Sequence, residues 1–316
     1  MIATQLSCSR CVTRTVNFGR NVKTIRSRQI RRYRQPAVAS DQPNVKTWIE
    51  THGGFIHESL TISDHAPCGA RGVVATNPVL TDEMLQPLIV IPKELQLTDE
   101  IALATLEPLV PPEILAEAPL RTLDAGALVS LLLAHERAKG AQSFYWPYIA
   151  TLPSEAPCPW MWTVDKMREE LANIAQQGVD VAGWRESLMH AQGYSNAVAR
   201  GMCQDYGTYL GITPEDLLWA IGMMTSRGYG RDYSPGLIPY IDMVNHSATN
   251  MPFLFKEDPL EQNQGCYMVW SYDREGKQPR ALSVGQELYV NYIMDDLTAF
   301  DAFCSHGFVP EEYLSS

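Results

Sequence analysis

"GLIPYIDMVNHSATN" runs from Gly236 to Asn250, an apolar stretch interrupted by Asp242 and closing on Asn245-His246-Ser247. The apolar run reads as a buried strand, and the polar triplet stands at its end. Asn, His and Ser at a strand mouth are ordinary turn chemistry. They are equally the groups that a binding corner needs. The rest of the chain decides between the two.

On either side of this stretch the periodicity changes. "NVKTWIETHGG" (44–54) reads as a short helix stopped by two glycines, and "FIHESLTI", "GVVAT" and "LIVIP" read as short strands. From about Leu103 to Gly228 the pattern is helical. "RTLDAGALVSLLLAHERAKG", "TVDKMREELANIAQQG" and "NAVARGMCQDYGTYLG" each carry an apolar face and end at Gly. "TPEDLLWAIGMMTSRG" opens with Thr213, Pro214 and Asp216, the form of a capping box. Strand character returns in "GLIPYIDMV", "CYMVWSYD" and "GQELYVNYI", and "DDLTAFDAFCSHG" closes as a helix at Gly307. Strands, a long helical insert, then strands again imply that the strand sets pair across the insert into one β-rich α+β domain. The regular strand–helix alternation of a doubly wound fold is absent.

The 316 residues carry a net charge of −11, unevenly spread. Residues 1–40 contain nine Lys or Arg and no acid, which leaves 16 basic residues facing all 36 acidic ones. A basic, acid-free leader on an acidic body has the composition of an organellar transit peptide, with "AVAS" (37–40) as the processing region. A basic nucleic-acid-binding tail is the alternative. The acidic body argues against a nucleic-acid groove. No apolar run is long enough to cross a bilayer, so no membrane partner is expected. Of the seven cysteines only Cys8 and Cys11 are spaced C-x-x-C, inside the leader, so neither a metal site nor a disulfide framework is expected.

Four pieces carry candidate chemistry. "GARGVVAT" (69–76) is a Gly-bounded turn entering a strand, where backbone can approach a ligand closely. "SRGYGR" (226–231) sets Arg227 and Arg231 at the end of the capped helix. The third piece is Asp242-x-x-Asn245-His246-Ser247, and the fourth is "GQELYVNYI" (285–293), whose Tyr289 and Tyr292 fall on opposite faces of a strand. Taken singly, each has a structural reading: a turn, a solvated helix end, a strand mouth, a packing tyrosine.

Taken in order, "RGVVA", "SR" at a helix end, "DMVNHS" and "GQELYVNY" about forty residues later resemble the SET domain. This is the β-folded class of protein lysine methyltransferases that use S-adenosylmethionine. Within it the chain resembles the Rubisco large-subunit methyltransferase-like branch, over residues 44–310, without that branch's helical C-terminal substrate-binding domain. The resemblance implies a SET N-terminal part at 44–102, a helical insert at 103–228 and a SET C-terminal part at 229–316, with a knot-like C-terminal crossing. It implies that Asn245 and His246 hold the cofactor, with Ala70 and Arg71 meeting it from the other side and His306 stacking against it. It implies that Tyr292 is the catalytic tyrosine and also contacts the cofactor. Arg227, Arg231 and Asp242 line the lysine side, or alternatively form a structural ion-pair cluster. The plant and algal members of the branch favour a plastid over a mitochondrion.

Methyl transfer from a sulfonium to an amine is an in-line displacement, so alignment and a neutral amine are what an enzyme must supply. A free lysine titrates near 10.4, so burial beside a positive charge must favour its neutral form. The chain departs from the family where Ile293 follows Tyr292 directly and Asp295-Asp296 replace a Ser-Asn pair. Two other readings stay open: a SET-fold scaffold that has lost catalysis, and a methyltransferase acting on histidine. The partner expected is a protein presenting a lysine.

Overall fold

The computed structural model describes residues 44–79, 87–230, 235–248, 253–257, 265–273, 278–292 and 297–314. The expected leader, Arg231, Ile293 and Asp295-Asp296 lie outside the described residues.

The first helix, α1 (Val45–Thr51), is capped by the Asn44 side chain, which accepts from the Lys46 N–H, and it buries Val45, Trp48 and Ile49. Strand β1 (Phe55–Ile56) follows. Strands β2 (Leu60–Ser63) and β3 (Gly72–Ala75) form a separate antiparallel pair, and β4 (Pro87–Ile91) lies antiparallel to β1.

Helices α2 (Asp99–Leu106), α3 (Ala125–Ala138), α4 (Val164–Gln176), α5 (Trp184–Met202) and α6 (Pro214–Arg227) come next in the chain. Side chains of Thr98, Asp124 and Thr163 cap α2, α3 and α4, and Thr213 and Asp216 cap α6 in a reciprocal box. Helix α3 is buried almost all round, from Gly126 to Glu136, and packs against α2 and α6. The α5 run continues through a π-helical turn, Cys203–Gly207, and stops at Gly211 with φ +68.

Strands β5 (Asn245–His246), β6 (Phe253–Glu257), β7 (Tyr267–Asp273) and β8 (Tyr289–Val290) complete a sheet of order β1-β4-β7-β6-β8-β5. Strands from before and after the helices therefore share one sheet, through the antiparallel β4–β7 pair. Helix α7 (Ala299–His306), with a Thr298–Asp301 capping box, ends on Gly307 and packs on α6.

One expectation is corrected here. The apolar run 236–244 is not a strand that ends at Asn245. Pro239 cannot donate a backbone hydrogen bond, and Tyr240 turns at φ 69, ψ −42, with the Ile241 N–H on the Pro239 carbonyl at 2.9 Å. This is a γ-turn of the rare positive-φ hand. A 3-10 turn, Ile241–Met243, follows, and only then do Asn245 and His246 form the strand. The polar pair is the strand, not its frayed end.

A second expectation holds only locally. "GQELYVNYI" is in ladder form at Tyr289–Val290, with a further bridge from Glu287 to Val74, and Tyr292 lies beyond it. The alternation argument therefore does not fix where the Tyr292 ring goes. Its contacts do.

Candidate active site

Two backbone pairings bring distant segments together. Residues 282–288 run antiparallel to the first strands: Leu288 N–H donates to Val73, Ala75 N–H to Gln286 and Gly285 N–H to Ala75, at 2.7–2.9 Å. Strand β5 lies parallel to β8, with Asn245 opposite Tyr289 and His246 opposite Val290. The pieces "RGVVA", "NHS" and "GQELYVNY" thus meet edge to edge.

Tyr292 sits among aromatic rings. Its centroid is 5.2 Å from His246, 5.4 Å from His306 and 6.3 Å from Tyr229, the last edge-on. Its hydroxyl donates to the Val244 carbonyl at 2.9 Å, and its backbone N–H donates to His246 Nδ1 at 3.2 Å. Burial pushes the phenol well above its ordinary pKa, against the opposing pull of Arg227. Its proton therefore stays on at neutral pH and points at a carbonyl, so the oxygen faces any further partner as an acceptor.

His306 comes from the last turn of α7. Nδ1 lies 3.1 Å from the Ser226 carbonyl, an acceptor only, so Nδ1 carries the hydrogen and Nε2 the lone pair. Burial drives its pKa down to about 4, partly offset by the Ser226 hydrogen bond, with His246 lowering it further. It is a neutral imidazole at neutral pH.

Asn245 points into the other half of the site. Its Nδ2 donates to Glu287 Oε1 at 2.7 Å and to the Arg71 carbonyl at 2.9 Å, with Cys68 Sγ at 3.2 Å. Ala70 closes the turn beside it, accepting from the Ala66 N–H at 2.9 Å. The Arg71 guanidinium leaves this group. It pairs with exposed Asp64 at 2.9 Å and donates to the Thr151 carbonyl on the helical block. Such an exposed pair contributes little to stability.

Beneath Tyr292 lies a buried polar cluster. Arg227 donates to the Asp242 carbonyl at 2.9 Å and stands 3.5 Å from its carboxylate, which also accepts from the Tyr148 hydroxyl at 2.8 Å. The Asp242 side chain is fully buried. Burial raises its pKa to about 6, even though Arg227 and Tyr148 pull the other way. Asp242 Oδ1 and Arg227 Nε are buried without a hydrogen-bond partner. Arg227 and Asp242 thus touch each other under the tyrosine, and Asp242 presents nothing to solvent.

Besides Tyr148, three participants were not singled out in the sequence. Glu287 lies inside the quoted "GQELYVNYI" but has no motif value of its own there. Cys68 precedes the quoted turn. Tyr229 sits between the two arginines, with its hydroxyl on the Ile241 carbonyl at 3.3 Å. No local pattern marks them: the pairing of 282–288 with β3 creates the neighbourhood of Glu287 and Cys68, and the bridge of Tyr229 to Gly236 creates that of Tyr229. A surface depression of about 370 Å³ lies elsewhere, bordered by Arg200, Cys203, Gln204 and Thr213, and contains none of this cluster. Among the described residues no group of three His, Cys, Asp or Glu could hold a metal ion, and no helix is long and apolar enough to cross a membrane.

No family model matches the chain. It is 22% identical over 285 residues to the chloroplastic Rubisco large-subunit N-methyltransferase of Pisum sativum, covering 86% of this chain and 54% of that protein. It is 29% identical over 102 residues to the protein of the same name from Nicotiana tabacum, covering 31% of this chain and 20% of that one. The chain thus spans about half the length of the pea relative. Among solved structures it is similar to the SET domain of LSMT bound to lysine and AdoHcy, with a TM-score of 0.63 at 18% identity. That match covers 84% of this chain and 56% of the other. Rubisco LSMT bound to AdoMet matches with a TM-score of 0.61, also at 18% identity, over 84% of this chain and 55% of the other. The fold is that of the SET domain, and in sequence the chain is a distant relative of the chloroplastic Rubisco large-subunit N-methyltransferases.

Proposed function

We propose that the chain is an S-adenosylmethionine-dependent protein-lysine N-methyltransferase of SET type, acting on a plastid protein. The observation that carries this reading is Tyr292 held between His246 and His306 with its hydroxyl on the Val244 carbonyl. Support comes from the solved relatives, which are bound to lysine with AdoHcy, to AdoMet, and to sinefungin with monomethyllysine.

The donor set fits such a cofactor. An asparagine amide, a phenol oxygen, a carbonyl and a neutral imidazole offer acceptors and aromatic faces to a cationic ligand. Asn245 and His246 would hold it, with Ala70 and Arg71 on the facing turn and Tyr292 and His306 as ring neighbours. When bound, S-adenosylmethionine supplies a methyl group on a positively charged sulfonium.

The protein's own part is positional. Tyr292 accepts an N–H of the incoming amine on its oxygen and so aims the nitrogen lone pair. Burial, with the Arg227 cation close by, disfavours the ammonium form. Arg227 and Asp242 act from below by fixing the 242–244 turn, and so the carbonyl that Tyr292 holds. Arg231 belongs to the lysine side of this reading.

The reading keeps a plastid leader at 1–40, the parts 44–102, 103–228 and 229–316, and a knot-like crossing at β5. The parallel pairing of β5 with β8 supports the crossing, and the chloroplastic relatives support the plastid. Two experiments test the function. Calorimetry with S-adenosylhomocysteine is expected to give micromolar affinity, and no heat at high protein concentration would instead favour a scaffold. Labelled cofactor with plastid extract is expected to mark a protein band at lysine. Label on histidine would redirect the assignment.

A further inference from the structure

Glu287 is buried, with 2% of its surface exposed, yet it faces the candidate cofactor residues. Three donors converge on it. Oε2 accepts from the Cys68 N–H at 2.9 Å and from the Tyr289 hydroxyl at 2.7 Å, and Oε1 accepts from Asn245 Nδ2 at 2.7 Å. These donors come from three separate segments: the turn before β3, the residue two places along its own strand, and β5. A buried carboxylate held this way is costly to disturb, because the Cys68 N–H and the Tyr289 hydroxyl would lose their acceptor in a low-dielectric setting, and the Asn245 amide one of its two short ones.

The contact with Asn245 has a directional consequence. The two short acceptors of Nδ2 are the Glu287 carboxylate and the Arg71 carbonyl, and neither can donate. A flipped amide would put oxygen against two oxygens. The amide is therefore locked with both hydrogens inward, and its carbonyl oxygen is the only group that it has left to offer. Gly72 adds an independent sign of tight construction. A Cβ there would stand 2.7 Å from Asn245 Nδ2 and collide with Glu287 Oε1, so this position takes no side chain without moving the pair.

We propose that Glu287 is a positioning residue. It sets the amide direction of Asn245 and draws in the Cys68–Arg71 turn, so that the site presents an acceptor oxygen to a ligand that carries a donor. This rests on the reading of Asn245 as a cofactor contact, and it adds a residue that makes no contact with cofactor or substrate itself.

Glu287→Gln keeps the volume but exchanges one acceptor oxygen for an NH2, and Glu287→Ala removes both acceptors. Expected are S-adenosylhomocysteine affinities weakened about tenfold in the Gln variant and further in the Ala variant. The KM for the cofactor should rise while kcat at saturating cofactor stays within about threefold in the Gln variant. Unchanged affinity in a folded Gln variant, or a kcat loss with unchanged KM, overturns the proposal. Nitrogen-resolved NMR of the Asn245 side-chain amide in the unsubstituted protein gives a readout that needs neither variant nor cofactor. Slow exchange of both protons with solvent supports the lock, and exchange as fast as in an exposed asparagine refutes it. If the unsubstituted protein binds no S-adenosylhomocysteine, the functional reading fails, and the role of Glu287 is then decided by the same NMR comparison in Glu287→Ala, where faster exchange of the Asn245 amide supports it and unchanged exchange refutes it.

Discussion

The Tyr292 hydroxyl donates to the Val244 carbonyl at 2.9 Å, across 48 positions of sequence. That bond ties the segment after β8 to the residue before Asn245. It orients the phenol by spending its only hydrogen. The carbonyl is where it is because the γ-turn at Tyr240 and the 3-10 turn after it re-aim the backbone before β5.

The Arg227–Asp242 pair under Tyr292 is buried, and removing one member leaves the other uncompensated. Arg227→Met is expected to destabilise the fold by roughly 3–5 kcal/mol. The measurement is urea unfolding; a loss below 1 kcal/mol would mean that the pair is solvated.

Two groups give opposing pH dependences. His306 has a folded pKa near 4 against 6.5 unfolded, so it stabilises above 6.5 and that contribution is lost as pH falls towards 4. Asp242 has a folded pKa near 6 against 3.8, so its contribution is present below 3.8 and lost as pH rises through 6. Between about 4 and 6 the two slopes offset, each worth about 1.4 kcal/mol per pH unit. Asp242→Asn is expected to expose a loss of stability on acidification, and His306→Phe the reverse. Melting temperatures across pH 4–7 read both signs, and parallel curves for all three proteins would contradict the assignment.

Much of the frame was legible in the sequence because it rests on local physics. The Thr213–Asp216 box opens α6, and Gly307, left-handed at φ 80, closes α7, as capping rules require. The order of "RGVVA", "SR", "NHS" and "GQELYVNY" pointed to the fold. What escaped is what depends on long-range pairing. Periodicity took 236–244 for a strand, since Ile238, Ile241 and Val244 are as buried in a turn as they would be in a ladder. Nothing local singles out Glu287 within "GQELYVNYI", and only the approach of β3 and β5 buries it.

Gly72→Ala should test the packing of the Asn245–Glu287 pair without removing a polar atom. A Cβ in that space is expected to cost about 1–3 kcal/mol through overpacking. Cofactor affinity should weaken with it. Thermal unfolding and calorimetry on one preparation check both, and a variant indistinguishable from the parent would show that the corner is loose.

Turnover by Tyr292→Phe tests the central claim most directly. The protein and the variant, matched for melting temperature and S-adenosylhomocysteine affinity, are incubated with labelled cofactor and plastid extract, and methyllysine is quantified by mass spectrometry. The account predicts methyllysine from the parent and a loss of about 100-fold in the variant, the scale expected when a reacting group loses its alignment. Equal methyllysine from both would remove the tyrosine from the chemistry.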